Sequence, residues 1–291
     1  MNASVDLSHT ALVFPGQGSQ RAEMRDLVEA HCPELIELAT SEIGSDPFER
    51  VSEGTSFQQP ALYCAAIAGW RAAGSPEAAW FAGHSLGELA AAAAAGAIST
   101  EDGLRLAITR GRVMQQAAEN DPGGMLAVLG ETNGVPALAN SLGLTVANDN
   151  SPDQVVLSGP SEEIDEARRR FREVGVRTVR LPVAGAFHSP AMAVAVPEFR
   201  AALDEVEVTD QPRLISSTSA RPFGDLREGL LAALTRPVRW RETVLRLRDL
   251  GASCFLESGP GEVLTGLVRR TISGVEAGPL DHAGTEQVAD V

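Results

Sequence analysis

The sequence predicts an α/β protein with a parallel sheet in a large domain and a small α+β domain inserted into it. Three observations lead there. Short apolar runs of strand length alternate with helix-length stretches at both ends of the chain, as strand–helix–strand units around a parallel sheet do. The run Ala78-Ala79-Trp80-Phe81-Ala82 enters Gly83-His84-Ser85-Leu86-Gly87 and leaves through Glu88-Leu89 and six alanines. That strand–turn–helix setting is what a hydrolase-like nucleophile elbow requires. From Gly123 to Leu181 the order changes to strand, helix, strand, strand, helix, strand, which is ferredoxin-like. The large domain is therefore assigned to 1–121 and 190–291, and the small one to 122–189.

Bulk properties fit this picture. The chain has 291 residues, 44% hydrophobic and 22% charged, enough for a sizeable core. A net charge of −15 argues against nucleic acid as a partner. No apolar run approaches the ~20 residues of a membrane span. The first ten residues lack the basic and apolar segments of a secretion signal, so a cytoplasmic location is expected. Cys32, Cys64 and Cys254 are odd in number and without metal spacing, so they are expected reduced, with no metal site. The chain has no lysine, which excludes Schiff-base and P-loop chemistry.

In order, the first strand is 11–14, stopped by Pro15 and followed by the loop Gly16-Gln17-Gly18-Ser19-Gln20. Such a loop is either an ordinary connection or a device for aiming a backbone N–H into a site at the sheet's carboxyl edge. Helices follow over 23–39 and from Gln58-Gln59-Pro60 to Trp70, the proline falling in the first turn. After the elbow, Gly96 stops the alanine helix. Ser99 caps a helix running to about Glu119. On that helix Arg110 lands inside the apolar arc, where a guanidinium needs an anion, either an internal carboxylate or a ligand. The insert reads as strands over 125–129, 144–148, 154–158 and 177–181, with helices over 135–141 and from a cap at Ser161 to about Glu173. Beyond it come helices over 190–205, 225–234 and 240–250, strands over 213–216 and 253–257, and a helix ending at Arg269-Arg270. A polar, loosely ordered tail is expected from about Gly278.

Ser85 is a poor nucleophile until a neighbour takes its proton. His84 is adjacent and diverges from it on a tight elbow, and His9 and His31 lie in a polar region. His282 beside Asp281 has the late position of a hydrolase base, but sits in the tail. His188, after an apolar run and before Ser189-Pro190, is the favoured base, its second ring nitrogen held by a backbone carbonyl rather than an aspartate.

Several ordered motifs together resemble the malonyl-CoA:acyl carrier protein transacylases and related acyltransferases of fatty-acid and polyketide synthesis. They include 14–20, Gln59-Pro60-Ala61-Leu62, Gly83 to Glu88, Arg110 to Gln115, Asn148 to Pro152, Gly185-Ala186-Phe187-His188, Pro237 to Trp240 and Gly259 to Leu267. The resemblance implies Ser85 as acyl-accepting nucleophile, His188 as general base and Arg110 as clamp on the malonyl carboxylate. It implies backbone N–H groups of Gln17 and Leu86 as the oxyanion hole, and the Arg239 carbonyl as the group orienting His188, where many relatives have glutamine. The acyl pocket is assigned to Phe187 and Met114, the phenylalanine matching the malonyl-preferring pattern. Ser216-Ser217 replaces the usual Ser-Asn. No bound cofactor is implied; malonyl-CoA is the substrate and phosphopantetheine arrives on the acyl carrier protein. Arg168, Arg169, Arg170 and Arg177, or Arg269 and Arg270, are candidates for docking that carrier. Two other readings share Ser85 and His188: an acyltransferase for a different extender unit, and a hydrolase of carrier-bound acyl thioesters.

Overall fold

A computed structural model describes residues 7–280 of the chain. In chain order the elements are β1 (Thr10–Phe14), α1 (Met24–His31), α2 (Pro33–Ile43), α3 (Thr55–Ala72), β2 (Trp80–Gly83), α4 (Gly87–Ala94) and α5 (Thr100–Asn120). The insert supplies β3 (Gly123–Leu129), α6 (Val135–Ser141), β4 (Thr145–Ser151), β5 (Gln154–Pro160), α7 (Ser161–Glu173) and β6 (Arg177–Arg180). A short 3-10 segment, Pro190–Ala195, leads into α8 (Val196–Asp204), β7 (Leu214–Ser216), β8 (Arg221–Pro222), α9 (Leu226–Thr235), α10 (Trp240–Asp249), β9 (Cys254–Glu257), α11 (Val263–Thr271) and β10 (Glu276–Pro279).

The main sheet has the order β10-β9-β1-β2-β7-β8, parallel except for the β7–β8 pair. β1 is buried at every residue because both faces are covered. Leu12 and Phe14 pack with Phe81 under α3, α4 and α5, while Ala11 and Val13 face Trp240, Val244 and Phe255 on the other side. The second sheet runs β4-β5-β3-β6, all antiparallel, with Leu126, Leu157, Ile164 and Phe171 in its own core. Its order and its two helices give the ferredoxin-like arrangement.

This small sheet is tied to the large one through β4. Asp149 N–H donates to Val238 O at 2.8 Å, Val238 N–H donates to Ala147 O at 2.9 Å, and Arg241 pairs with Asp149 at 2.7 Å. The tie sets β4 over the carboxyl ends of β1 and β2.

Several boundaries differ from expectation for identifiable reasons. The helix expected over 23–39 is two, broken at Cys32 because Pro33 starts a new one as its first residue. α3 begins at Thr55, so Pro60 lies inside the helix rather than in its first turn. Ser161 is the first helical residue of α7 and makes no side-chain cap. The region expected as one helix over 190–205 opens as a 3-10 segment. Gly278, Pro279 and Leu280, expected to begin a loosely ordered tail, are instead part of or next to a strand. β10 pairs in parallel with β9 through main-chain bonds that need no apolar pattern, and Leu280 is buried. Gly96, at φ +77°, ends the alanine helix as expected. Cys32 and Cys64 are buried and Cys254 half-buried, all three free. Among the described residues no helix is long and apolar enough to cross a membrane.

Candidate active site

The elbow is dictated by sterics. A Cβ at Gly83 would sit 2.0 Å from the Gly87 carbonyl carbon, and one at Gly87 would sit 2.0 Å from Phe14 O. Only glycine lets β2, the turn and the first strand come this close. Between them Ser85 is held at φ +54°, a left-handed conformation that costs an L-residue about 1–2 kcal/mol. Its side chain consequently leaves the path of the strand and stands at the N-terminal end of α4. The glycine-rich loop after β1 is drawn against the same turn, with Gly16 so near that a Cβ would meet His84 O at 2.6 Å.

Three side chains from distant parts of the chain converge here. Ser85 Oγ lies 2.8 Å from His188 Nε2, and Arg110 Nη2 donates to Ser85 Oγ at 3.1 Å. Arg110 Nη1 donates to Gln59 Oε1 at 2.7 Å. His188 also has a left-handed backbone, φ +57°, in a turn held by Ser189 Oγ donating to Ala186 O at 2.6 Å. Its Nδ1 faces two backbone carbonyls, Ala233 O at 2.8 Å and Arg236 O at 3.3 Å. Those acceptors place the ring proton on Nδ1 and leave the Nε2 lone pair for the serine hydroxyl.

A backbone carbonyl thus orients His188, but it is not that of Arg239. Arg239 opens α10, so its carbonyl accepts from Thr243 N–H at 2.9 Å and Thr243 Oγ1 at 3.0 Å. The two carbonyls that serve belong to the end of α9, where the last turn leaves acceptors without helical partners. Asp281 and His282 lie outside the described residues.

Electrostatics follow from burial. His188 is lowered to about 3, first by desolvation, then by the like charge of Arg110 and of His84; the two carbonyls oppose the shift. Arg110, only 3% exposed, is lowered by burial to about 10, opposed by Glu88, and so stays charged at neutral pH. Among the described residues it has no carboxylate in ion-pair contact. Glu88 is itself buried and raised to about 7 by desolvation. Its Oε1 accepts Ser217 N–H at 2.7 Å and Ser217 Oγ at 3.0 Å. Ser217 therefore fastens β7 to α4 rather than facing the cleft. His84 Nε2 lies 2.8 Å from Asn150 Oδ1 and the ring stands edge-on to Trp240, which fits its reading as structural.

Ser85 and His188 open into a cleft of about 400 Å³ between the two sheets, lined also by Gln17, Met114, Val156 and Phe187. Phe187 also lines a neighbouring hollow of about 250 Å³, which shares Gln17, Gln58, Pro182 and Val183 with the cleft. The N–H groups of Gln17 and Leu86 donate to no acceptor among the described residues. Arg168, Arg169, Arg170 and Arg269 are exposed; Arg169 and Arg170 are paired with Glu166, and Arg270 with Asp153. Sequence reading missed Thr55, Gln59 and Asn150 as polar partners of the site. The i, i+4 spacing of Thr55 and Gln59 on one helix was the available signal.

Residues 11–286 match the model of the acyl transferase domain family. The chain belongs to the acyl transferase family. This acyl transferase is 37% identical to a malonyl CoA-acyl carrier protein transacylase of Synechocystis, over 90% of its own length and 93% of that protein's. It is 39% identical to the polyketide biosynthesis protein ThaF of Burkholderia thailandensis over 98% of its length, spanning 27% of that larger protein. The crystal structure of the malonyl-CoA:acyl carrier protein transacylase from Xanthomonas oryzae superposes with a TM-score of 0.86 at 35% identity, covering 94% of this acyl transferase and 95% of that chain.

Proposed function

We propose that this acyl transferase moves a malonyl group from malonyl-CoA to the phosphopantetheine thiol of an acyl carrier protein, through an acyl-enzyme on Ser85. The observation that carries the reading is Arg110. A charged guanidinium, buried beside the nucleophile and with no carboxylate in ion-pair contact among the described residues, is complementary to a substrate that brings a carboxylate. A hydrolase of uncharged acyl chains has no use for it.

Ser85 Oγ attacks the thioester carbon while its proton passes to His188 Nε2. The developing oxyanion is met by the N–H groups of Gln17 and Leu86. Collapse breaks the C–S bond, and the imidazolium returns its proton to the departing CoA thiolate. The carrier thiol then gives its proton to His188 and attacks the acyl-serine, reversing the sequence. No bound metal or cofactor is required, because one thioester replaces another and nothing is oxidised or reduced. The resemblance to acyltransferases of fatty-acid and polyketide synthesis, and the name of the polyketide biosynthesis protein ThaF, support a role in one of those pathways, and we assign this enzyme to the cytoplasm, where CoA thioesters are made.

Intact-protein mass spectrometry after mixing with malonyl-CoA is the direct test. One malonyl group should appear on the wild-type chain and none on Ser85→Ala. An unlabelled wild type, or a label that survives the substitution, would overturn the reading.

A further inference from the structure

We infer that Thr55 is a positioning residue that ties Arg110 to the glycine-rich loop carrying Gln17, so that the groups meeting the substrate's carboxylate and its thioester oxygen share one frame. This rests on the roles proposed above for Ser85, Arg110 and the Gln17 N–H. The basis is a continuous chain of hydrogen bonds. Arg110 Nη1 donates to Gln59 Oε1 at 2.7 Å, Gln59 Nε2 donates to Thr55 Oγ1 at 2.9 Å, and Thr55 Oγ1 donates to Gln17 Oε1 at 3.1 Å. Gln17 Nε2 then donates to Gln58 Oε1 at 2.6 Å, and Gln58 Nε2 to Val51 O at 3.0 Å.

Every bond runs in the same direction. A guanidinium can only donate and a carbonyl can only accept, so the two ends fix the orientation of all three glutamine amides and of the threonine hydroxyl. Thr55 is the link that joins Arg110 and Gln59 to Gln17, whose amide is also held to α3 through Gln58. It is itself held firmly. Gly111, next to Arg110 on α5, lets α3 approach until a Cβ there would lie 2.7 Å from Thr55 O. Gln115 Oε1 on the same helix accepts Ser56 N–H at 3.1 Å and Ser56 Oγ at 2.7 Å. The receiving loop, by contrast, has glycine on both sides of Gln17, with Gly18 exposed at φ +104°. Ser19 Oγ donating to Gly16 O at 2.9 Å and Gly18 N–H donating to Gln20 Oε1 at 2.7 Å brace the loop internally, and the Gln17 side chain couples it to α3.

Thr55→Val removes the hydroxyl at constant shape and leaves the Arg110–Gln59 bond in place. Single-turnover acylation of Ser85, followed by quench and mass spectrometry and normalised to active sites by burst amplitude, should slow for malonyl-CoA and acetyl-CoA alike. The expected loss is roughly 10- to 100-fold in the rate at saturation with little change in KM, the scale of a displaced oxyanion donor. Thr55→Ser should recover most of it, and Gln17→Ala, which breaks the bond to Gln58 as well, should slow both acyl groups at least as much. Should Thr55→Val not fold, Gln17→Ala alone carries the test, with the same slowing for both acyl groups. Acylation at the wild-type rate, or a loss confined to malonyl-CoA, would overturn the inference while leaving Ser85 as nucleophile. A wild type that takes no label on Ser85 would overturn the site itself, a distinguishable result.

Discussion

Arg110→Ala separates recognition of the carboxylate from the chemistry at the thioester. In the structure the guanidinium is almost fully buried, spends Nη1 on Gln59 and Nη2 on Ser85 Oγ, and has no ion-pair partner among the described residues. The malonyl carboxylate would be its first. Removing one member of a buried charge pair leaves the other stranded, at a cost of about 3–5 kcal/mol. At about 1.4 kcal/mol per factor of ten, malonyl transfer should fall on the order of 100- to 1000-fold or somewhat more. Acetyl-CoA brings no carboxylate. It loses only the Arg110–Ser85 bond, and that loss is offset because His188 is freed from a neighbouring positive charge and becomes a stronger base. Acetyl transfer should therefore change by less than about tenfold, in either direction. The assay is acylation of Ser85 by each thioester under single-turnover conditions, with a thermal melt to show that the variant is folded. Equal losses for the two acyl groups would refute the clamp and return Arg110 to a purely structural role.

Two further outcomes follow from the same geometry. His188, lowered to about 3 by burial and by Arg110, refuses a proton that a free imidazole would take near pH 6.5. Its ring should stay neutral as the Nδ1–H tautomer between about pH 5 and pH 8 in nitrogen NMR spectra, and Arg110→Gln should move its titration upward; a wild-type midpoint near 6.5 would contradict this. Phe187 lines both the cleft and the adjoining hollow, so Phe187→Ala should widen the space there and admit a methyl on the acyl α-carbon. Competition between malonyl-CoA and methylmalonyl-CoA should shift towards the branched substrate by roughly 10-fold or more, the worth of one methyl group in a tight pocket; an unchanged ratio would remove Phe187 from specificity.

What could be read from the sequence divides along a physical line. The elbow is legible because its chemistry is steric and local: two glycines, a serine and the flanking strand and helix lie together between Trp80 and Ala94. Arg110 was legible as an anomaly, a cation on an apolar arc, although periodicity alone left its partner open. The groups orienting His188 were not legible. Ala233 and Arg236 contribute carbonyl oxygens, and every residue has one of those. Which of them remains unpaired depends on where α9 stops and how the His188 turn meets it. The Gln59–Thr55–Gln17 chain crosses from α3 to a loop some 40 positions away, so only half of it has a sequence spacing to betray it. β10 was missed for a related reason, since an edge strand joined by main-chain bonds needs no apolar alternation.

In the proposed mechanism, the helix ends let a buried dyad work without an acidic third member. Ser85 precedes the N-terminus of α4, where unpaired N–H groups create a positive potential. His188 Nδ1 meets the C-terminus of α9, where unpaired carbonyls create a negative one. Proton transfer from Oγ to Nε2 therefore carries positive charge towards the negative end of one helix and leaves negative charge at the positive end of another. Each end is worth a few tenths of a kcal/mol at a surface and up to ~2 kcal/mol where water is excluded. Both contributions grow as charge separates and are nearly absent in the neutral resting pair, so they favour the transition state over the ground state. The burial that makes the imidazolium costly at rest also keeps water away from the acyl-serine. A fixed dipole can offset that cost without adding an ionisable group, and an aspartate in its place would bring a full charge into the same dry cleft as Arg110 and compete with the substrate's carboxylate for it.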